Sequence, residues 1–170
     1  MSRRAARLTH LDARGQARMV DVGAKPSTAR EAVAEGFIAM NAAACRALGS
    51  GAVAKGDAFA LARAAGIAAA KRTAELVPLC HVVPLDQVAV RIDLDRRRRR
   101  ARVEATARAH WNTGVEMEAL VAVSAALLTL YDMAKAIDRG MTISGVRLLK
   151  KSGGRSGLYA RRVSGSRRRR

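Results

Sequence analysis

An acidic and a basic side chain that could exchange protons lie close together near the end of one predicted helix. Asp132 and Lys135 are three residues apart, which places them on the same face of a helix. The preceding stretch, residues 119–131, carries no charge, so the pair lies beside an apolar stripe. Such a pair could be a partly desolvated acid and base with mutually tuned pKa values, or an ordinary surface ion pair.

Two further carboxyl groups open the same predicted helix. Glu116 and Glu118 could belong to a site, or could stabilise the positive end of the helix dipole. Glu118 and Asp132 are 14 residues apart, which is roughly 21 Å along the axis at about 1.5 Å per residue. If both belong to one site, two chains must contribute to it, and the site lies at a subunit interface.

The other reactive side chains lie in predicted loops. Cys80 and His81 point to opposite sides of an extended segment, and no Cys-x-x-Cys or His-x-x-x-His spacing predicts a metal site. A lone histidine such as His81 is typically structural. The Gly/Ser-rich loop at residues 150–157 could present backbone N–H groups and a lysine to a phosphate, although its residue order is not that of a Walker A motif.

Hydrophobic periodicity predicts the elements that must hold these residues. It favours a short edge strand at residues 19–22, a helix from Thr28 to Leu48 with a Thr28/Glu31 capping box, and a helix from Asp57 to about Leu76. Alternation then predicts two strands, near residues 88–94 and 101–109. A long helix at residues 115–137 and a last strand at 141–149 follow. The order of these elements indicates an α+β fold, with helices packed on one antiparallel sheet.

Composition narrows the class of protein. The 170 residues carry 32 Lys and Arg against 14 Asp and Glu, a net charge of +18, which at first suggests nucleic-acid binding. Most of this excess lies in the N-terminal arm, in the run Arg96–Arg100 and in the C-terminal tail. Aromatic residues make up only 3%, which argues against single-strand stacking. The longest apolar stretch, residues 119–131, is shorter than the about 20 residues that cross a bilayer.

Six motifs in chain order together resemble one known family. They span nearly the whole domain, about residues 8–158, and the opening Leu8-Thr9-His10 and residues 19–22 fit as well. The family is the cyclic pyranopterin monophosphate synthase family, also called molybdenum cofactor biosynthesis protein C. The six motifs are Lys55-Gly56-Asp57, AGIAAAKRT at residues 65–73, Pro78-Leu79-Cys80-His81, TGVEMEAL at residues 113–120, Tyr131-Asp132-Met133-x-Lys135 and the Lys151-Ser152-Gly153-Gly154 loop.

The resemblance implies a ferredoxin-like fold and a homohexamer, a trimer of dimers, with its sites between subunits. It implies a lyase that converts (8S)-3′,8-cyclo-7,8-dihydroguanosine 5′-triphosphate to cyclic pyranopterin monophosphate and releases pyrophosphate. It implies neither a metal nor an organic cofactor. With only two cysteines and no apolar leader segment, we expect a soluble cytoplasmic protein.

The resemblance also assigns residues. Asp132 and Lys135 would be the catalytic acid and base. The substrate-binding residues would be Lys55, Leu79, Cys80, His81, Glu116, Met117, Glu118 and Lys151. One departure from the family pattern is that Val82-Val83 stand between Cys80-His81 and the proline that commonly follows them directly.

Two alternatives stay open at this stage. The arginine run and the tail could make a basic nucleic-acid-binding module, or the chain could be an inactive scaffold paralogue. The expected organisation is a flexible basic arm at residues 1–18, a single catalytic domain at 19–158 and a disordered basic tail at 159–170.

Overall fold

The computed structural model describes residues 14–51, 53 and 56–162. Within them the chain forms one five-stranded antiparallel sheet, with the strand order β2-β3-β1-β4-β5, and helices packed on one of its faces. The elements in chain order are β1 (Thr28–Ala39), α1 (Ala42–Ser50), α2 (Ala58–Ala70), α3 (Thr73–Leu76), β2 (Gln87–Asp95), β3 (Arg100–Trp111), α4 (Glu116–Ala134), β4 (Thr142–Ser152) and β5 (Tyr159–Ala160).

The predicted fold class is confirmed. Strands β1 to β4 with their intervening helices follow a β-α-β-β-α-β path, and the spatial order β2-β3-β1-β4 is compatible with a ferredoxin-like sheet. Two of the predicted strands become β2 and β3, and the arginine run lies in the hairpin between them, as expected. The predicted last strand is also present, and β4 continues through Lys151 to Ser152.

The prediction of a helix from Thr28 to Leu48 was wrong for its first half. Residues 28–39 form β1, the central strand between β3 and β4, and only residues 42–50 are helical. The sequence of this segment also has a period of two, which is typical of a strand, because Ala32, Ala34 and Ile38 alternate with Glu35 and Phe37. Small residues on the inward face let α4 approach the strand closely.

The predicted edge strand at residues 19–22 is also absent, since residues 18–22 have no regular structure. The second predicted helix is confirmed, although it divides. The side chain of Asp57 accepts hydrogen bonds from the backbone N–H groups of Phe59 and Ala60, which caps α2. The helix ends at Ala70, and α3 follows as a separate short turn.

The core is aliphatic and unusually rich in alanine. Ala105 and Ala107 of β3 and Ala122 and Ala126 of α4 are all fully buried. A Cβ atom on Gly66 of α2 would lie 2.8 Å from the carbonyl oxygen of Ala122, so α2 and α4 pack at a distance that only small residues permit. This contact fixes α4 across the sheet and thereby fixes the positions of its two ends.

By length and composition, α4 could also cross a membrane, because its 19 residues are mostly apolar. It is the central helix of the fold instead, and packs against β1, β3, β4 and α2. Its buried residues include Val123, Leu127 and Leu130. A core helix of this kind passes the same compositional test.

Candidate active site

The loop at residues 77–86, which we call the His81 loop, connects α3 to β2 and lies over the N-terminal end of α4. The imidazole Nε2 of His81 is 2.8 Å from the carbonyl oxygen of Val20. Because a carbonyl only accepts hydrogen bonds, Nε2 is the donor in this contact. Cys80 is half-buried beside it, and burial, with the negative charge of Glu118, raises the pKa of its thiol.

Glu118, in the first turn of α4, is a buried carboxyl group. Only 4% of its surface is exposed. Burial raises the pKa of Glu118 to about 7, its own backbone N–H opposes that rise, and the nearby charge of Glu116 adds to it. Glu118 is therefore able to gain or lose a proton near neutral pH.

Glu118 lines a cavity of about 320 Å³, which we call the His81 cavity. The predicted binding residues Leu79, Cys80, His81, Glu116, Met117 and Glu118 all line it. The loop before β2 and the first turn of α4 thus bring together two motifs that are about 35 residues apart in the sequence. Apolar and ionisable groups share this surface, which suits a flat heterocycle with polar edges.

A second, larger cavity adjoins it. This cavity, of about 530 Å³, is lined by Lys151 and the Gly153-Gly154 turn, and we call it the Lys151 cavity. It shares Lys25, Thr113, Gly114 and Glu116 with the His81 cavity, so the two form one continuous depression at the N-terminal end of α4. An elongated ligand could therefore reach from His81 to Lys151.

The turn after β4 is shaped around an arginine of β1. Gly153 and Gly154 have φ angles of 92° and 70°, which are in the left-handed region that favours glycine. A Cβ atom on Gly154 would overlap the guanidinium of Arg30, and one on Gly153 would overlap the backbone of Ala29. Arg30 Nε in turn donates to the carbonyl oxygen of Trp111 at 3.0 Å, which fixes the guanidinium against the turn.

Sequence reasoning missed Arg30, and with it two buried oxygen atoms in the same cavity. Within the described part of the chain, Thr28 Oγ1 and Asn112 Oδ1 are buried without any hydrogen-bond partner. Both residues line the Lys151 cavity. An unpaired buried polar atom costs free energy, which a bound ligand can recover. The threonine hydroxyl could donate to a phosphate oxygen, and the asparagine carbonyl could accept from an N–H group of a ligand.

Asp132 and Lys135 lie at the opposite end of α4. Their side chains are 2.6 Å apart, and both are half-exposed. This confirms that they share a face of the helix. The helical rise separates Asp132 from Glu118 by roughly 21 Å along the axis, so one chain does not bring the pair into the depression that contains His81 and Lys151.

One predicted binding residue, Lys55, lies outside the described residues. Within residues 14–51, 53 and 56–162, no group of three or more His, Cys, Asp or Glu side chains is arranged to hold a metal ion.

Comparisons with known proteins show what the whole chain is similar to. The family model described as the MoaC family matches residues 19–154. The cyclic pyranopterin monophosphate synthase of Chloroflexus aggregans is 55% identical over 157 residues, which cover 92% of this chain and 95% of the relative. The protein of the same name from Parvibaculum lavamentivorans is 53% identical over 155 residues, 91% of this chain and 97% of the relative. That from Roseiflexus castenholzii is 57% identical over 150 residues, 88% of this chain and 95% of the relative.

Proposed function

The chain belongs to the MoaC family, and we propose that it converts (8S)-3′,8-cyclo-7,8-dihydroguanosine 5′-triphosphate to cyclic pyranopterin monophosphate and pyrophosphate. It is an enzyme of molybdenum cofactor biosynthesis, a lyase. The observation that carries the proposal is the extent of the family match, because residues 19–154 include every residue assigned to the site from the sequence.

The Lys151 cavity fits the phosphate end of this substrate. Four cationic residues line its wall, Lys25, Arg30, Lys151 and Arg155, against the two carboxyl groups of Glu31 and Glu116. In the proposed reaction, a hydroxyl of the ribose-derived part attacks the innermost phosphorus, and the bond to the outer two phosphates breaks. Pyrophosphate leaves with additional negative charge, which fixed cations stabilise.

The His81 cavity fits the heterocyclic end. Opening the guanine ring and closing the pterin ring require several proton transfers. Glu118, with its pKa raised to about 7, can hold a proton at neutral pH and can also release it. His81 and Met117 would position the rings beside it.

The acid and base of the proposed mechanism, Asp132 and Lys135, must come from a second copy of the chain. The length of α4 separates them from Glu118 within one chain, so the C-terminal end of one α4 must face the N-terminal end of another. A homohexamer built as a trimer of dimers, as in the resemblance, would supply such contacts. Lys55 is assigned to the same site through its motif.

We also propose that the protein acts in the cytoplasm on a small-molecule substrate. Both cysteines are free thiols, which suits a reducing compartment.

The test is turnover of the cyclic triphosphate produced by the preceding radical reaction on GTP. The parent chain should release pyrophosphate and form cyclic pyranopterin monophosphate, whereas Asp132→Asn should reduce turnover by at least about a thousandfold. Asp86→Asn, an exposed carboxyl group outside both cavities, is the matched control. Turnover by the Asp132→Asn variant at the parental rate would remove this residue from its role, and no turnover by a folded parent would refute the proposed function.

A further inference from the structure

The arginine run between β2 and β3 forms part of a third cavity, at the opposite end of β3 from the Lys151 cavity. This cavity, of about 500 Å³, lies between α1 and the hairpin. Arg46 of α1 and Arg96, Arg97 and Arg99 of the hairpin line it, together with Ala42, Cys45 and Ser50. We call it the arginine pocket. It shares no residue with the two cavities of the candidate active site.

The hairpin is held in a fixed shape. Arg96 Nη2 donates to the carbonyl oxygen of Gly49 at 2.8 Å, which connects the hairpin to the end of α1. Asp95 accepts from the backbone N–H of Arg98 at 3.0 Å and forms an ion pair with its guanidinium at 3.3 Å. Arg98 is therefore engaged by Asp95, while the other three arginines line the pocket.

The backbone at Arg99 adds a second observation. Its φ angle is 49°, the only positive value among the described residues that are not glycine. Glycine or asparagine takes this conformation at a hairpin without strain, whereas other side chains destabilise it. The carbonyl oxygen of Arg99 accepts from the N–H of Met40 at 3.0 Å, which holds the strained residue in place. Backbone strain of this kind is found most often at binding and active sites.

The charges of the pocket are uncompensated. No carboxylate and no aromatic side chain occurs among the described residues that line it. The four arginines form no side-chain ion pair within the described part of the chain, although Arg91, Arg98, Arg102 and Arg108 each have a carboxylate partner. Four guanidiniums around one concavity supply the charge and the N–H donors that several linked phosphate groups require. The absence of an aromatic stacking surface argues against single-stranded nucleic acid.

We propose that the arginine pocket binds a small polyphosphate, either a nucleoside triphosphate or an inorganic chain of linked phosphates. The inference does not depend on the proposed function, because its residues lie outside the proposed active site. The shared chemistry is the phosphate chain, and Ala42 and Cys45 leave room for an apolar part of a ligand beside it.

The experiment is isothermal titration calorimetry of the full chain with sodium tripolyphosphate and with GTP at about 0.1 M salt. Every protein carries Lys151→Ala, so that binding in the Lys151 cavity is weakened equally throughout. Arg46→Gln with Arg97→Gln removes two pocket charges and leaves the Arg96 contact to Gly49 intact. Arg91→Gln with Arg98→Gln removes two charges from β2 and the hairpin outside the pocket, and is the matched control.

The pocket variant should bind tripolyphosphate at least about tenfold more weakly, and the control less than about threefold more weakly. Equal affinity for tripolyphosphate and GTP would identify an inorganic chain as the ligand class, and tighter binding of GTP a nucleotide. An equal loss of tripolyphosphate affinity in the pocket variant and the control would mean that net charge alone determines binding, and would overturn the proposal. Unchanged tripolyphosphate binding by a folded pocket variant would also overturn the proposal. The same holds if the protein binds a single-stranded RNA but does not bind tripolyphosphate.

Discussion

At the residue scale, the buried carboxyl group of Glu118 should make the free energy of unfolding depend on pH. Its raised pKa of about 7 means that the folded chain holds this proton more tightly than the unfolded chain, where the ordinary value is 4.5. The free energy of unfolding should therefore fall as the pH rises from 4.5 to about 7, and this contribution should be level above that. Glu118→Gln removes the titrating group. The change in the free energy of unfolding over this pH range should therefore be smaller by up to about 3 kcal/mol.

The measurement for Glu118 is urea denaturation at several pH values between about 5 and 8, at one protein concentration. Glu75→Gln, an exposed glutamate of α3, is the control and should retain the parental profile. If Glu118→Gln also retains that profile, burial of a protonated carboxyl group at this position is refuted.

The sequence predicts which side chains lie together only where those residues are close neighbours along the chain. Asp132 and Lys135 form the expected pair because i,i+3 spacing on a helix is enough to bring them together. Arg30, Thr28 and Asn112 could not be found in this way. Thr28 is paired with Trp111 across the β1–β3 ladder, so it meets Asn112 through a strand pairing that no spacing along the chain reveals. Once β1 is misread as a helix, that pairing cannot be anticipated.

At the element scale, the turn after β4 can be tested through two glycines that both have positive φ angles. Gly154→Ala would displace the Arg30 guanidinium, so we expect it to raise the KM for the cyclic triphosphate by at least about tenfold. Gly157 also has a positive φ angle, 59°, but a Cβ atom there would meet nothing within 4 Å. Gly157→Ala thus matches the backbone strain without the collision, and steady-state kinetics should show less than about a threefold change. Equal KM values in the two variants would contradict a role for Arg30 in this cavity.

The face of the sheet that lacks helices is stabilised by a buried carboxylate. Glu35 of β1 is 5% exposed and accepts from Arg102 Nε at 2.7 Å and from Arg147 Nε at 2.9 Å. Burial alone would raise the pKa of Glu35, but these two guanidiniums outweigh it and lower the value below 4.5. Its contribution to stability is therefore present above pH 4.5 and is lost as the pH falls through the lowered folded pKa.

Glu35→Gln should decrease the free energy of unfolding at neutral pH by about 2 kcal/mol, because two partly buried guanidiniums lose their counter-ion. Asp93→Asn interrupts the exposed pair of Asp93 with Arg91 and a longer contact of 4.0 Å with Arg102, and should cost less than about 1 kcal/mol. Urea denaturation of both variants measures the difference. Similar losses would mean that the buried network contributes no more than a surface ion pair.

At the scale of the whole molecule, we expect a single chain to be inactive, because the two halves of the proposed site lie at opposite ends of α4. The core packing of α4 fixes one half of the proposed site, with His81, Glu118 and Lys151, at its N-terminal end. The other half, with Asp132 and Lys135, is fixed at its C-terminal end. No movement that preserves the buried contact of α2 with α4 shortens this distance, because the helix itself sets it. Under the proposed function, assembly would complete the site.

The proposed two-chain site predicts complementation between two inactive variants. Asp132→Asn impairs only the C-terminal half-site, and Lys151→Ala impairs only the N-terminal half-site. When the two variants are unfolded together and reassembled in equal amounts, random pairing makes about a quarter of the sites intact in both halves. Turnover should recover to about that fraction of the parental rate. Asp132→Asn mixed with Lys135→Ala is the control, since both changes affect the same half and no intact site can form. Recovery in neither mixture, with assembly shown by sedimentation, would place all of these residues in a site formed by one chain and would contradict the separation that α4 imposes.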